Sequence, residues 1–184
     1  MGMEIERKFI IKELPQNLQQ FPFHEIEQGY LNTHPTVRVR KEDDNYYMTY
    51  KGAGTVAKEE YNLPLNAESY AHMKEKCDGN IITKRRYIIP LNEDAFTNEE
   101  TEKDSELSKA IKDKTMKIEL DVFEGVFQGL VFAEVEFPSE NVAVVYKPAG
   151  WFGQDVTEDR HFSNAYLSSV NEKEIDSILN NNML

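Results

Sequence analysis

The chain has little cysteine, no long apolar run and fewer bases than acids, and each shortage excludes a class of protein. Cys77 is its one cysteine, so no intrachain disulfide can form and a reducing, cytoplasmic location is expected. No run approaches the roughly 20 apolar residues that a membrane helix needs, and the first residues lack the apolar core of an export signal. We therefore expect neither export nor membrane insertion by these signals.

Basic residues are scarce relative to acidic ones. The 184 residues include 33 acids against 21 lysines and arginines, which gives a formal net charge of −12. A field of this sign repels nucleic acids and anionic membranes, so neither is expected as a partner. An anionic ligand would have to be held by a local basic patch. The length fits one domain, and the sequence does not distinguish a monomer from a homodimer.

What the chain does have is an alternation of polar and apolar residues with a period of two, which is typical of β-strands. Turn residues at 43–45 and 125–129 favour antiparallel hairpins between neighbouring strands. The pattern predicts a β-rich fold with eight strands: Glu4–Ile11, Glu25–Asn32, Thr36–Glu42, Tyr46–Gly52, Ala57–Leu65, Ile81–Leu91, Met116–Phe123 and Leu130–Phe137.

Helices are expected to be few and to flank the sheet. Asn66 is a predicted N-cap for a helix that runs through Cys77, and a second helix is expected within Arg160–Val170. Residues 92–115 are polar and highly charged, so they are interpreted as a solvated insertion with a short helix around Ser105–Lys112. We expect residues 1–170 to form a single domain and residues 171–184 to form a tail with a weak, fraying helix.

One face of the predicted sheet carries charges of both signs. In the first strand the alternation places Glu4, Glu6 and Lys8 on one face, whereas Arg7 lies with the apolar residues. Later strands are expected to add the following residues to the charged face: Arg38, Arg40, Lys51, Lys58, Glu60, Asn62, Lys84, Arg86, Lys117, Glu119, Asp121, Glu134 and Glu136.

For any single strand, a solvated face with salt bridges is the simpler interpretation. Across the strands, however, acids concentrate in the first and last two and bases in the middle ones, which random solvation does not predict. Arginine forks and lysine ammonium groups suit a triphosphate, and carboxylates beside it suit Mg²⁺ or Mn²⁺. The two sets together favour an anion that binds with a metal.

The residues that carry these charges also resemble a known family. Glu4-Ile5-Glu6-Arg7-Lys8 is similar to the Glu-x-Glu-x-Lys signature of the CYTH superfamily, the triphosphate tunnel metalloenzymes. The resemblance spans nearly the whole chain through these later motifs: Val37-Arg38-Val39-Arg40, Thr49-Tyr50-Lys51-Gly52, Glu59-Glu60-Tyr61, Lys84-Arg85-Arg86-Tyr87, Glu119-Leu120-Asp121 and Ala133-Glu134-Val135-Glu136.

The resemblance implies a single CYTH domain with a β-rich α+β fold, in which eight antiparallel strands close into a barrel, the triphosphate tunnel. The implied triphosphate ligands are Lys8, Arg38, Arg40, Lys51, Lys84 and Arg86. The implied metal ligands are Glu4, Glu6 and Glu136 for a first ion, with Glu134 and Asp121 for a second. The implied catalytic set is Lys8, Glu60, Glu119, Asp121 and Glu134, in which the acids other than Glu60 support the second ion or position water; the role of Glu60 stays open.

The leading functional hypothesis is a Mg²⁺- or Mn²⁺-dependent hydrolase of the terminal phosphoanhydride. Its substrate would be inorganic triphosphate, thiamine triphosphate or a nucleoside triphosphate. A class IV adenylyl cyclase, which makes cyclic AMP and pyrophosphate from ATP, ranks second because Met3 to Phe9 resembles short bacterial triphosphatases more than cyclases. A non-catalytic polyphosphate- or nucleotide-binding module ranks third, since pure binding needs fewer carboxylates near an anion.

Overall fold

The structure is a computed structural model that describes residues 5–52 and 60–182. Within these residues there are nine strands, β1 to β9 in chain order: Ile5–Ile11, Phe23–Thr33, Thr36–Glu42, Asn45–Lys51, Glu60–Leu65, Asp78–Pro90, Lys117–Glu124, Val131–Phe137 and Phe152–Asp155. The same part of the chain has six α-helices, α1 to α6: Ala67–Lys74, Asn98–Lys103, Ser105–Lys112, Glu140–Val145, Asn164–Ser169 and Glu172–Asn182. The predicted β-rich α+β fold is confirmed.

The strands form one antiparallel sheet in the order β5-β4-β3-β2-β6-β7-β8-β1-β9. Within the described residues, the end strands β5 and β9 do not pair with each other, so the sheet is open and the predicted closed barrel of eight strands is not confirmed. The eight predicted strands are present; the third has its predicted bounds and the others have shifted ends. Glu4 of the first and residues 57–59 of the fifth lie outside the described residues. β9 was missed because its four residues are too few to display an alternation.

Local turn chemistry sets the register of the basic strands. The β3–β4 turn has Asp43 in the left-handed region at φ 52°, which aspartate tolerates well. The Asp43 carboxylate accepts a hydrogen bond from the Glu25 backbone N–H at 2.9 Å, which ties the turn to β2. The resulting register places Arg38 opposite Thr49 and Arg40 opposite Tyr47. The predicted hairpin therefore directs both arginines to one face.

The core consists of two apolar clusters on different faces of the sheet. The first contains Phe9, Leu120 and Val135, which alternate with the charged positions and lie on the opposite face. The second contains Phe123 and Phe132, which share the face of the charged residues. This second cluster packs with α5 and α6, so apolar side chains fill one end of the charged face.

The insertion at 92–115 is more buried than the sequence analysis expected. The helix predicted around Ser105–Lys112 is confirmed as α3, but Leu107 and Ala110 are buried in the first cluster. Their spacing of three residues places both on one helix face, whereas Ile111 stays 41% exposed. Most of the segment is solvated as expected, but Leu107 and Ala110 also join the core, because few apolar residues suffice when they share a face.

The remaining helices follow their capping residues. Asn66 accepts a hydrogen bond from the Ser69 N–H at 2.8 Å and starts α1, as predicted. The helix expected within Arg160–Val170 is a 3₁₀ turn followed by α5. In α6 Ile175 is buried against the second cluster. Among the described residues, no helix is long and apolar enough to cross a membrane.

Candidate functional site

The charged face borders a cavity of about 740 Å³. Side chains of β1 and β5, which lie near opposite ends of the sheet, both line it, so the sheet curls around this space. The charged lining residues are Glu6, Lys8, Arg38, Arg40, Asp44, Lys51, Glu60, Arg86, Glu119, Glu134 and Glu136. The residues Ser163 to Ala165 border the cavity from the start of α5. The structure thus brings most of the sequence-predicted residues together.

Arg86 is the centre of a network of ion pairs on the acidic side of the cavity. Its guanidinium donates to Asp121 through Nε at 2.6 Å and Nη2 at 2.7 Å. It also donates to Glu134 at 2.5 Å and to Glu119. The sheet register produces this convergence, because Arg86 lies opposite Asp121 and Glu119 lies opposite Glu134.

Two lysines complete this network. Lys8 Nζ lies 2.7 Å from a Glu134 oxygen and donates to the Phe162 carbonyl at 3.0 Å. Lys84 donates to Asp121, and both side chains are buried under the cavity wall rather than lining it. Lys84, predicted as an anion ligand, and Asp121, predicted as a metal ligand, therefore do not line the cavity.

Burial and charge together set the ionisation of the network. Burial lowers the pKa of Lys84 to about 8, although Asp121 opposes the shift. Burial alone would raise the pKa of Glu134, but the charges of Lys8 and Arg86 hold it well below its usual range. The pKa of Asp121 is lowered for a similar reason, since Arg86 and Lys84 outweigh its burial. Both carboxylates are therefore ionised at neutral pH.

The basic side of the cavity is organised differently, because Arg38 and Arg40 bind mainly uncharged groups. Arg40 donates to Gln28 at 3.0 Å and to Tyr47 at 3.2 Å. Arg38 donates through Nη2 to Thr49 at 3.1 Å, and its buried Nε has no hydrogen-bond partner among the described residues. Burial, and then the charge of Arg40, lower the pKa of Arg38, although Glu60 partly opposes this shift. Two buried cations of this kind favour an anion between them.

Carboxylates that suit a metal lie at the β1–β8 pair. Glu6 lies directly opposite Glu136, and both line the cavity. Their hard oxygen donors fit Mg²⁺ or Mn²⁺. Across residues 5–52 and 60–182, no set of three or more histidine, cysteine or acidic side chains is arranged to hold a metal. The predicted third ligand, Glu4, lies outside the described residues.

The residue predicted to point away from the site does so. Arg7 donates to Asp155 through Nε at 2.9 Å and Nη2 at 2.6 Å, and to the carbonyls of Ala143 and Tyr146. The opposite orientations of Arg7 and Lys8 confirm the predicted alternation of β1. Adjacent basic residues in one motif therefore belong to different surfaces.

The sequence analysis did not single out the uncharged polar residues that hold the arginines. Gln28, Tyr47 and Thr49 are hydrogen-bonded partners of Arg38 or Arg40, and Gln28 and Thr49 are fully buried. For Tyr47 and Thr49 the available signal was their alternation with Met48 and Tyr50 on β4. Gln28 had no such signal, because Glu27 and Gly29 flank it on β2. The charged residues of the sequence indicated the candidate anion ligands but not the uncharged groups that orient them.

The chain is similar to known proteins in sequence and in fold. The sequence model of the CYTH domain matches residues 2–145. The chain is 33% identical over 170 residues to an inorganic triphosphatase of Nitrosomonas europaea, covering 90% of this chain and 96% of the relative. It is 32% identical over 173 residues to an inorganic triphosphatase of Acetivibrio thermocellus, covering 91% and 94%. A crystal structure of an inorganic triphosphatase superposes with a TM-score of 0.64 at 29% identity, covering 93% of this chain and 97% of that one.

Proposed function

Because the chain belongs to the CYTH domain family, we propose that it is a metal-dependent hydrolase that cuts the terminal phosphoanhydride of inorganic triphosphate. The observation that carries the proposal is the pair Arg38 and Arg40, which line the cavity and donate hydrogen bonds to uncharged groups, whereas the Glu42 carboxylate lies 3.8 Å from Arg40. Relatives named inorganic triphosphatase support this choice of substrate.

The cavity residues have two roles in the proposed reaction: some bind the phosphate oxygens and others orient the attacking water. Arg38, Arg40 and Lys51 would bind the phosphate oxygens, since forked and point donors together suit a chain of closely spaced negative charges. On the opposite wall, Arg86 presents its bonded guanidinium to the cavity. Its partner Glu134 is ionised and accepts hydrogen bonds, so it can accept one from the attacking water. Hydrolysis would join the water oxygen to the terminal phosphorus and release orthophosphate and pyrophosphate.

Glu6 and Glu136, together with Glu4, would hold the metal. A bound Mg²⁺ or Mn²⁺ would supply positive charge that offsets the carboxylates and would polarise water. The pKa of Lys8 is raised because Glu134 and Glu6 outweigh the opposing effect of burial, so its ammonium stays charged beside these acids. Phosphoryl transfer needs little beyond such placement.

A closed tunnel is the finer form of the proposal. Cavity-lining residues come from β5 at one end of the sheet and from β1 and β8 near the other. This enclosure supports a substrate that is surrounded by strands. A linear triphosphate, which is narrow and charged along its length, fits such a space.

Product analysis tests the proposed function. The purified protein is incubated with inorganic triphosphate, ATP or thiamine triphosphate, with Mg²⁺ or Mn²⁺, and products are followed by ³¹P NMR. We expect equal amounts of orthophosphate and pyrophosphate from inorganic triphosphate. Cyclic AMP as the main product from ATP, with no orthophosphate from inorganic triphosphate, would identify a cyclase. Tight binding without turnover of any substrate would identify a binding module.

A further inference from the structure

We propose that Thr49 and Asn62 are positioning residues that fix the orientation of Arg38 and Lys51 around the phosphate chain; this rests on the proposed function of the same cavity. A continuous series of hydrogen bonds joins these four residues through Glu60. Arg38 Nη2 donates to Thr49 at 3.1 Å, and Thr49 donates to Asn62 Oδ1 at 2.6 Å. Asn62 Nδ2 then donates to Glu60 at 3.1 Å, and Glu60 pairs with Lys51 at 3.0 Å.

The direction of every bond in this series follows from the chemistry of its ends. A guanidinium only donates, so the Thr49 hydroxyl must accept from Arg38 and has its single proton left for Asn62. The Asn62 oxygen is thereby used, which turns its NH₂ group toward Glu60. The ionised carboxylate only accepts, and its second oxygen meets the Lys51 ammonium. Each hydrogen bond of the series therefore joins one donor to one acceptor, and a single orientation of the side chains satisfies all of them.

The strand register holds the series in place. Arg38 lies opposite Thr49 on β3 and β4, and Thr49 lies opposite Asn62 on β5. Lys51 and Glu60 form the next pair of the β4–β5 ladder on the same face. Thr49 is fully buried, so its hydroxyl cannot exchange either partner for bulk water without a cost. Of the three strands that carry the series, β5 is the end strand, and the series joins it to the anion site.

The uncharged character of Thr49 and Asn62 is what suits them to this task. A carboxylate next to Arg38 would fix the guanidinium and also cancel the charge that an anion needs. A hydroxyl fixes the guanidinium and leaves its charge intact. The one carboxylate in the series, Glu60, lies at the Lys51 end, where its pKa is lowered by Lys51 and Asn62 despite partial burial. Glu60, whose role the sequence left open, is thus assigned to hold Lys51.

Two substitutions remove the series at different points. Thr49→Val keeps the shape of the side chain and removes the hydroxyl. Asn62→Leu removes both hydrogen bonds of the side-chain amide, at an exposed position where a substitution is well tolerated by the fold. Thr49→Ser restores the hydroxyl. Thr83→Val, on the outward face of β6, and Tyr61→Leu, on the outward face of β5, are the matched controls. Each protein is assayed for hydrolysis of inorganic triphosphate and for its melting temperature.

We expect Thr49→Val and Asn62→Leu to raise KM about tenfold while kcat stays within about twofold, because misdirected cations weaken binding of substrate and transition state alike. Thr49→Ser and both controls should keep the KM of the wild type. A purely structural role would lower the melting temperature without this change in KM and without rescue by serine. If Thr49→Val does not fold, the KM of Asn62→Leu alone tests the positioning role.

The proposed function and the positioning role fail separately. An active wild type whose KM is unchanged in a folded Asn62→Leu variant overturns the positioning role alone. A wild type that binds inorganic triphosphate without hydrolysing it overturns the proposed function, and calorimetric affinity of the two variants, expected to be about tenfold weaker, then decides the positioning role. A wild type that neither binds nor hydrolyses inorganic triphosphate overturns both.

Discussion

Arg86 and Arg38 show how two arginines of one cavity acquire different roles from their partners. Arg86 forms ion pairs with Asp121, Glu119 and Glu134, so its positive charge is largely compensated within the protein. Arg38 meets the Thr49 hydroxyl and has a buried Nε without a partner among the described residues. At the scale of the residue, the partner rather than the residue type distinguishes a structural cation from an anion ligand.

Replacement of Arg38 tests this distinction. Arg38→Ala should lower kcat/KM for inorganic triphosphate roughly 100-fold, because a charge-assisted hydrogen bond to the substrate is lost. The matched control is Arg7→Ala, which removes an arginine that binds Asp155 on the outer side. We expect this control to keep kcat/KM and to lose only stability. Equal losses of activity at the two positions would contradict the orientation of β1.

The outer pair of Arg7 and Asp155 predicts a pH dependence of stability. Burial would raise the pKa of Asp155, but hydrogen bonds from Thr157 and then Arg7 lower it overall. A carboxyl whose folded pKa is depressed stabilises the fold above its unfolded value, near 3.9, and loses that contribution as the pH falls through the folded value. Asp155→Asn should therefore cost about 1 kcal/mol at pH 7, a modest figure because solvent screens the pair.

Urea denaturation of wild type and Asp155→Asn at several pH values measures this difference. The gap in the free energy of unfolding should be constant above about pH 5 and should close toward pH 2. A gap that stays the same at low pH would show that the substitution acts through packing instead of charge. Activity at pH 7 should be retained, since Asp155 does not line the cavity.

At the scale of the element, the insertion contributes to the core. Leu107 of α3 is fully buried, whereas Ile111 on the same helix is 41% exposed. Leu107→Ala should lower the free energy of unfolding by about 3 kcal/mol, since it removes buried methyl groups and leaves a cavity. Ile111→Ala should cost less than about 1 kcal/mol. Similar small effects of both substitutions in thermal or urea denaturation would mean that the insertion does not support the domain.

Elements with a strong local signal were predicted from the sequence. β3 was predicted with its observed bounds because Val37 and Val39 alternate with Arg38 and Arg40. α3 was also predicted with its bounds, and Asp104 caps it by accepting hydrogen bonds from two N–H groups. Its burial was not predicted, because it depends on which distant strands pack against Leu107.

The site shows the same division between local pattern and long-range arrangement. Alternation placed Lys8, Arg86 and Glu134 on one face, and all three line the cavity. It did not reveal that Lys84, on the same face, is buried beneath the cavity wall against Asp121. That difference arises from the second apolar cluster at the end of the charged face, whose members come from separate strands and helices. The alternation of residues within a single strand does not indicate this packing.

At the scale of the whole molecule, the net charge of −12 opposes the proposed substrate. The cavity itself adds Glu6, Glu136 and Glu119 near its cations. Removal of divalent cations with excess chelator should therefore abolish hydrolysis, because the carboxylates then repel a triphosphate. The far-ultraviolet circular dichroism should be unchanged, and added Mg²⁺ or Mn²⁺ should restore the rate. Full turnover in chelator would contradict the metal dependence.

The strand order has a consequence for synthesis on the ribosome. β2 to β5 follow one another in chain and sheet, so the arginine half of the cavity can form from short loops as soon as it emerges. β1 pairs with β8, in a register that joins Ile5 to Phe137, so the first strand must wait for most of the chain. Glu6 and Lys8 are therefore translated before the other cavity residues and enter the site only after β8 is made. Until then, the growing chain carries the anion-binding arginines without Glu119, Glu134 and Glu136, and it gains the complete charge pattern only once β7 and β8 have been made.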